Sequence, residues 1–157
     1  MTELVLLAVF LGAAVLVGLV IRSRQGRVRT RTDAVPVADD RRRALVEAGV
    51  DPAASDPVAG AVVLHFSADW CGPCAAVRRV VQHVLEDLAT TPHPPVEVEL
   101  DIDEYAALAK ELGVLSLPTT FILDRDLTER FRVSGVPTAD DLRAALAPLS
   151  EADQPGA

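Results

Sequence analysis

Phe66-Ser67-Ala68-Asp69-Trp70-Cys71-Gly72-Pro73-Cys74 joins two stretches of opposite pattern. Before it, Ala61 to Phe66 (AVVLHF) is a continuous, mostly apolar run, as expected for a strand buried on both faces. After it, Val77, Val80, Val81, Val84, Leu85 and Leu88 recur at steps of 3 and 1, which predicts an amphipathic helix opening at Cys74. The two cysteines thus lie where a buried strand hands over to a helix. In that setting a C-x-x-C spacing reads as a redox motif. Cysteines so spaced on a first helical turn can bring their sulfurs within bonding distance. Cys71, at the helix start, would face unpaired backbone N–H groups and the positive end of the helix dipole. Both favour the thiolate, the nucleophile of thiol–disulfide exchange. Cys74, one turn deeper, is placed to attack a mixed disulfide.

The cysteine count narrows the chemistry. With 2 cysteines in 157 residues, the chain has too few for a disulfide-stapled mini-fold or a four-cysteine zinc site. His65, His83 and His93 are scattered and supply no second ligand pair. No metal is expected. A pair of buried structural cysteines is the plainer alternative.

Downstream, Thr90 to Pro95 breaks the helix. Val96, Val98, Leu100 and Ile102 then alternate with Glu97, Glu99, Asp101 and Asp103, the period of a half-exposed strand. Glu104 to Leu112 predicts a helix, with Gly113 as its stop. Thr119 to Leu123 predicts a strand, Asp124-Arg125-Asp126 a turn, and Thr128 to Val133 the hairpin partner. Thr138 and Asp141 make a capping-box-like start for a last helix to about Leu146, with Pro148 close to its end. Upstream, Arg41 to Ala48 predicts a short helix and Asp51 to Gly60 is turn-rich. The order β-α-β-α-β-β-α predicts an α/β fold, a small mixed sheet flanked by helices.

The net charge of −8 argues against a general nucleic-acid binder, which needs a basic face. That charge is uneven: residues 1–43 sum to +4 and residues 44–157 to −12. Leu4 to Ile21 runs 18 residues without a charge. As a helix it would cover roughly 27 Å, against a bilayer core of about 30 Å. A transmembrane anchor over residues 1–22 is therefore expected. A cleaved signal peptide fits less well, since Glu3 is the only charge before the run and no Ala-x-Ala follows it. Arg22, Arg24, Arg27, Arg29 and Arg31 follow directly, which predicts that the body lies on the cytoplasmic side. Residues 22–40 read as a flexible tether whose arginines could also touch anionic headgroups. The expected plan is an anchor at 1–22, an Arg-rich linker at 23–43, a folded domain at 44–150 and a disordered tail at 151–157. Fourteen Arg against the single Lys110, with abundant Ala and Val, is the usage associated with a GC-rich bacterial genome.

Residues 66–74 resemble the active-site segment of thioredoxins. The likeness continues at Leu115-Ser116-Leu117-Pro118-Thr119-Thr120, which is similar to that family's cis-proline loop, and at Gly135, which resembles its glycine near the substrate groove. It spans roughly Ala61 to Leu149. The resemblance implies a thioredoxin fold, dithiol–disulfide chemistry on proteins, no bound cofactor and an electron donor such as a thioredoxin reductase. It makes Cys71 the attacking cysteine and Cys74 the resolving one. It implies a cis Pro118, with the Leu117 backbone pairing to an extended client. Trp70, Gly72, Pro73 and Gly135 would complete the client-binding residues.

Two positions depart from the family pattern. Thioredoxins usually carry a buried Asp on the strand six residues before the attacking cysteine, where this chain has His65. They usually carry a Lys on the next strand, where this chain has Glu99. A neutral imidazole can accept a proton near neutral pH, so His65 is a candidate base for Cys74, oriented by Glu99. Alternatively His65 fills a strand position and Glu99 belongs to a solvated acidic face. The family's first β-α unit is also hard to find, because Val35-Pro36-Val37 is a poor strand. Without it the acidic strand at 96–103 becomes a sheet edge, where charge discourages aggregation.

The leading expectation is a membrane-tethered thiol–disulfide oxidoreductase. An outward-facing relative of cytochrome-maturation type is a second reading, which the arginine distribution opposes. A non-catalytic binding module is a third, which the intact Trp-Cys-Gly-Pro-Cys opposes.

Overall fold

The computed structural model describes residues 2–24, 26–30, 39–52 and 58–151. The Val35-Pro36-Val37 segment, residues 53–57 of the turn-rich stretch and the tail after Glu151 lie outside the described residues.

The apolar run before the cysteines is β2 (Val62–Ser67), buried at every position. Alternation along it feeds two cores. Val62, Leu64 and Phe66 join Leu45, Leu100, Leu108, Phe121 and Leu123 on one side. Ala61 and Val63 join Val77, Val81, Val84, Ile122, Leu142 and Leu146 on the other. Burial of both faces explains why this strand has no polar alternation. The Phe66 and Phe121 rings meet edge to face, with centroids 6.2 Å apart.

The 3-and-1 spacing becomes α3 (Cys74–Leu88), which buries Val77, Val81, Val84 and Leu88. Next come β3 (Val96–Asp101), α4 (Ala106–Glu111), β4 (Thr119–Leu123), β5 (Glu129–Ser134) and α5 (Ala139–Glu151). Gly113, with φ +68°, follows α4 as its stop. With β1 at Arg29–Thr30, the five-stranded sheet of the described residues has the order β1-β5-β4-β2-β3. Among the described strands only β2 and β3 pair in parallel, so the sheet is mixed. Among the described strands the acidic β3 forms one edge, the position expected of it if the family's first β-α unit is short or absent.

Three features differ from the sequence reading. The last helix passes through Pro148 to Glu151. Its final turn is held by the Ser150 hydroxyl, which donates to the Leu146 carbonyl at 3.0 Å, and by the His93 N–H, which donates to the Ser150 carbonyl at 3.0 Å.

Part of the stretch read as a tether is docked on the sheet. β1 (Arg29–Thr30) pairs antiparallel with β5, Arg29 opposite Arg132 and Thr30 opposite Phe131. The Gly26 N–H donates to the Ser134 carbonyl at 2.7 Å, and Val28 packs on the second core. Two residues of strand carry too little pattern to be visible in a sequence. α2 (Asp39–Glu47) then places Leu45 in the first core.

The third difference concerns α1 (Thr2–Arg24), a helix of 23 residues. Its large apolar side chains from Leu6 to Leu19 are exposed, Phe10 at 75%. Among the described residues, however, no helix is long and apolar enough to cross a membrane. The expected span therefore finds no support there. The side chains at 4, 5, 8, 20 and 21 of the charge-free run lie outside the described set.

Candidate active site

The parallel β2–α3–β3 unit sets the site at the C-terminal end of β2. Beyond Ser67 the chain turns: the Cys71 N–H donates to the Ala68 carbonyl at 3.0 Å, and the Cys74 N–H to the Cys71 carbonyl at 3.2 Å. Pro73, at φ −73°, caps α3, and Cys74 is the first helical residue. Proline lacks an N–H and has a fixed φ, so it suits a helix start. Cys71 therefore lies in the turn ahead of the helix, not within its first turn as the spacing predicted. The two cysteines are joined as a disulfide. Cys71 is 9% exposed and Cys74 only 1%.

Ala68, Ile102 and Leu117 pack around the cysteines. This brings the loop before β4 against the disulfide. The Leu117–Pro118 peptide is cis, as the resemblance implies. The Gly135 N–H donates to the Pro118 carbonyl at 2.8 Å, and Gly135 holds φ +92°, a conformation that favours glycine. Gly72 and Pro73 are exposed beside the disulfide. Trp70 is 70% exposed, and its indole N–H donates to Asp103 Oδ2 at 3.2 Å. Leu115 is 96% exposed at the other end of the cis-proline loop. The result is a shielded sulfur pair flanked by exposed apolar side chains.

A polar set lies between β2, β3 and α3. His65 is fully buried, on the same face of β2 as Ala61 and Val63. Glu99 is its register partner on β3, yet the imidazole bonds elsewhere: His65 Nε2 meets Glu97 Oε1 at 2.8 Å. Glu99 is held by Arg78 of α3, whose Nε–H donates to both carboxylate oxygens. Burial pushes the Glu99 carboxyl up, but hydrogen bonds from Ser67 and Arg78 outweigh it and hold the carboxyl below its ordinary value. The expectation that Glu99 orients His65 is thus corrected. Arg78 takes Glu99, and the neighbouring acid on the same face takes the histidine.

Of the expected residues, the structure brings Cys71, Cys74 and Leu117 into one cluster and links Pro118 to Gly135. Sequence reasoning missed Glu97, Arg78, Ser67 and Asp103 as partners. The available signal was the alternation at 96–103, which puts Glu97, Glu99 and Asp101 on one face. Which of them meets His65 depends on strand register and on the reach of Arg78. Among the described residues, no group of three or more His, Cys, Asp or Glu side chains could hold a metal ion.

A family model described as Thioredoxin matches residues 54–148. A thioredoxin of Chlamydia caviae is 37% identical over 83 residues, which cover 53% of this chain and 76% of that protein. A thioredoxin of Bacillus subtilis is 33% identical over 81 residues, 51% of this chain and 74% of that protein. A solved structure of a mutant thioredoxin from Halobacterium salinarum matches with a TM-score of 0.51 at 30% identity, covering 66% of this chain and 84% of that one.

Proposed function

The chain belongs to the thioredoxin family of thiol–disulfide oxidoreductases, and from that premise we propose that it is a membrane-tethered reductant of protein disulfides. The observation that carries the chemistry is the Cys71–Cys74 disulfide at the end of a buried strand, one cysteine more exposed than the other. In the reduced protein the Cys71 thiolate attacks one sulfur of a client disulfide. A mixed disulfide forms and one client thiolate leaves. Cys74 then gives up its proton and attacks the Cys71 sulfur. The Cys71–Cys74 bond closes, the second client thiolate leaves, and two electrons have passed to the client. A dithiol donor, such as a thioredoxin reductase, restores the pair.

His65 is the proton acceptor for Cys74 in this reading. It is buried on the face that α3 covers, where thioredoxins usually place an acid. Trp70, Gly72, Pro73, Leu117, Pro118 and Gly135 form the client surface. An extended client segment pairs with the backbone at Leu117, leaving main-chain bonds to supply affinity with little sequence preference.

Support for the tether comes from the sequence alone, in the charge-free run at 4–21, whose length as a helix approaches the thickness of a bilayer core. The five arginines after it favour a single-pass anchor with the domain on the cytoplasmic side.

Replacing Cys74 with Ser in the full chain tests the reading. Client proteins should stay linked to Cys71 through a bond that dithiothreitol cleaves. Recovery of no linked protein, or of equal amounts with Cys71→Ser, would refute it. Labelling of Cys71 in intact cells by a membrane-impermeant reagent would overturn the cytoplasmic placement.

A further inference from the structure

We propose that the groove between α2 and α4 is a second client-binding site, which takes an apolar side chain flanked by Lys or Arg from a segment near the client's disulfide. The inference rests on the reading of the chain as a reductant of protein disulfides, and it names the clients that such a reductant would favour.

The groove encloses about 320 Å³. Ligand pockets run from about 300 to 1,000 Å³, so this one suits one or two side chains rather than a whole small molecule. Small residues make the room. Ala44 and Ala48 lie one turn apart on α2, and Ala107 faces the same space from α4. Leu108 is buried in the first core, and the half-buried Tyr105 packs against that core. An apolar side chain laid in the groove would extend the first core outward and remove water from both surfaces.

The rim of the groove is acidic. Glu47 of α2, Glu104 just ahead of α4 and Glu111 of α4 line it, and all three are exposed. Arg41 meets Glu111 at 3.7 Å. The other cations of these helices are engaged or lie elsewhere. Arg42 donates to the Asp126 carbonyl, Arg43 donates to Asp40, and Lys110 does not line the groove. Among the described residues, Glu47 and Glu104 have no ion-pair partner. Uncompensated carboxylates around an apolar floor attract a cationic segment and reject an acidic one. The aliphatic stem of a Lys or Arg can also lie along the floor while its charge reaches the rim.

Position ties the groove to the redox pair. Glu104 directly follows Asp103, whose carboxylate accepts the Trp70 indole N–H at 3.2 Å. Trp70 precedes Cys71 and belongs to the client surface around the disulfide. The groove therefore continues that surface beyond Trp70, and the exposed Asp69 and Asp103 keep it acidic along the way. A client with its disulfide at Cys71 and a basic, apolar-anchored segment nearby would engage both places at once. Binding at the second place raises the effective concentration of the disulfide at the first.

The test uses a peptide with an internal disulfide, joined through an eight-residue Gly-Ser arm to Lys-Leu-Arg. Such an arm spans about 16 Å on average. A control peptide carries Ser-Ser-Ser in place of Lys-Leu-Arg. With dithiothreitol as donor, the full chain should reduce the basic peptide with a KM about fivefold or more below that of the control, at similar kcat. The preference should shrink in roughly 1 M sodium chloride, where the screening length is about 3 Å. Glu47→Gln combined with Glu104→Gln should remove most of it. Ala107→Leu, which fills the groove with a strong helix former, should raise the KM of the basic peptide more than that of the control. A fluorescent copy of the basic peptide, with both cysteines changed to Ser, tests the groove without the chemistry. Its binding, read by anisotropy, should weaken in the same variants. Equal KM values for the two peptides overturn the inference and leave the reductase reading standing. So does a preference, or a binding signal, that survives both sets of substitutions. Reduction of neither peptide overturns the reductase reading itself, and the second client site falls with it.

Discussion

Arg78 Nε donates to both oxygens of Glu99, at 2.8 and 2.9 Å, and so ties the second turn of α3 to the edge strand β3. The contact joins the two elements that enclose His65. It also holds the Glu99 carboxyl below its ordinary value, against the opposing effect of burial.

A depressed carboxyl stabilises the fold above the ordinary carboxylate range, and that contribution is lost as pH falls through the depressed value. Removing the donor should raise the Glu99 value and start the loss earlier. Arg78→Gln is therefore expected to move the midpoint of acid unfolding, followed by circular dichroism, to higher pH. The shift should be modest and should shrink with added salt, because the pair is partly exposed. An unchanged midpoint would show that the pair contributes nothing to acid stability.

Gly26 is where the segment after α1 meets the sheet. A Cβ built there would lie 2.3 Å from the Val136 carbonyl oxygen, and its φ of +80° already disfavours other residues. Gly26→Ala should lift residues 26–30 from β5. Amide protection in β1 should fall at least tenfold, about 1.4 kcal/mol of local stability, while β2 keeps its protection. Full protection of β1 in the variant would mean that the docking does not depend on this close approach.

Phe121 is fully buried between the Phe66 ring and the Arg132 guanidinium, which stacks 4.5 Å from the Phe121 ring centroid. Phe121→Ala should lower the stability by about 3–5 kcal/mol, read as a fall in the urea midpoint at unchanged slope. A loss below 1 kcal/mol would imply that the first core can collapse onto the space.

Cys71 is the more exposed of the pair, and it sits at the positive end of α3. In the reduced protein it should be alkylated first by iodoacetamide at neutral pH, with Cys74 modified at least tenfold more slowly. Peptide mapping by mass spectrometry after brief labelling reads the order. Equal rates would contradict the assignment of attacker and resolver.

The element order was legible because each element carries a strong local pattern. The 3-and-1 spacing of α3, the continuous run of β2 and the alternation of β3 leave few alternatives at that chain length. The redox pair was legible because C-x-x-C after a buried strand has few other uses. What stayed hidden depended on register. His65 has Glu99 as its strand partner, but Arg78 comes from another element and takes that carboxylate, leaving Glu97 for the ring. No pattern along one strand records such a competition. β1 was hidden for another reason: two residues of pairing, set by a glycine at a close approach, have no periodicity to read. Pro148 misled because the hydrogen bonds of Ser150 and His93 sustain the turn beyond it.

Turnover of a protein disulfide by the Cys71–Cys74 pair is most directly read in the dithiothreitol-driven reduction of insulin by the full chain. The wild-type protein should shorten the time to precipitation of the insulin B chain several-fold at micromolar concentration. Cys71→Ser should return it to the uncatalysed time. A wild-type protein that gives no acceleration, or a Cys71→Ser variant that keeps it, would contradict the assignment of the dithiol as the reacting centre.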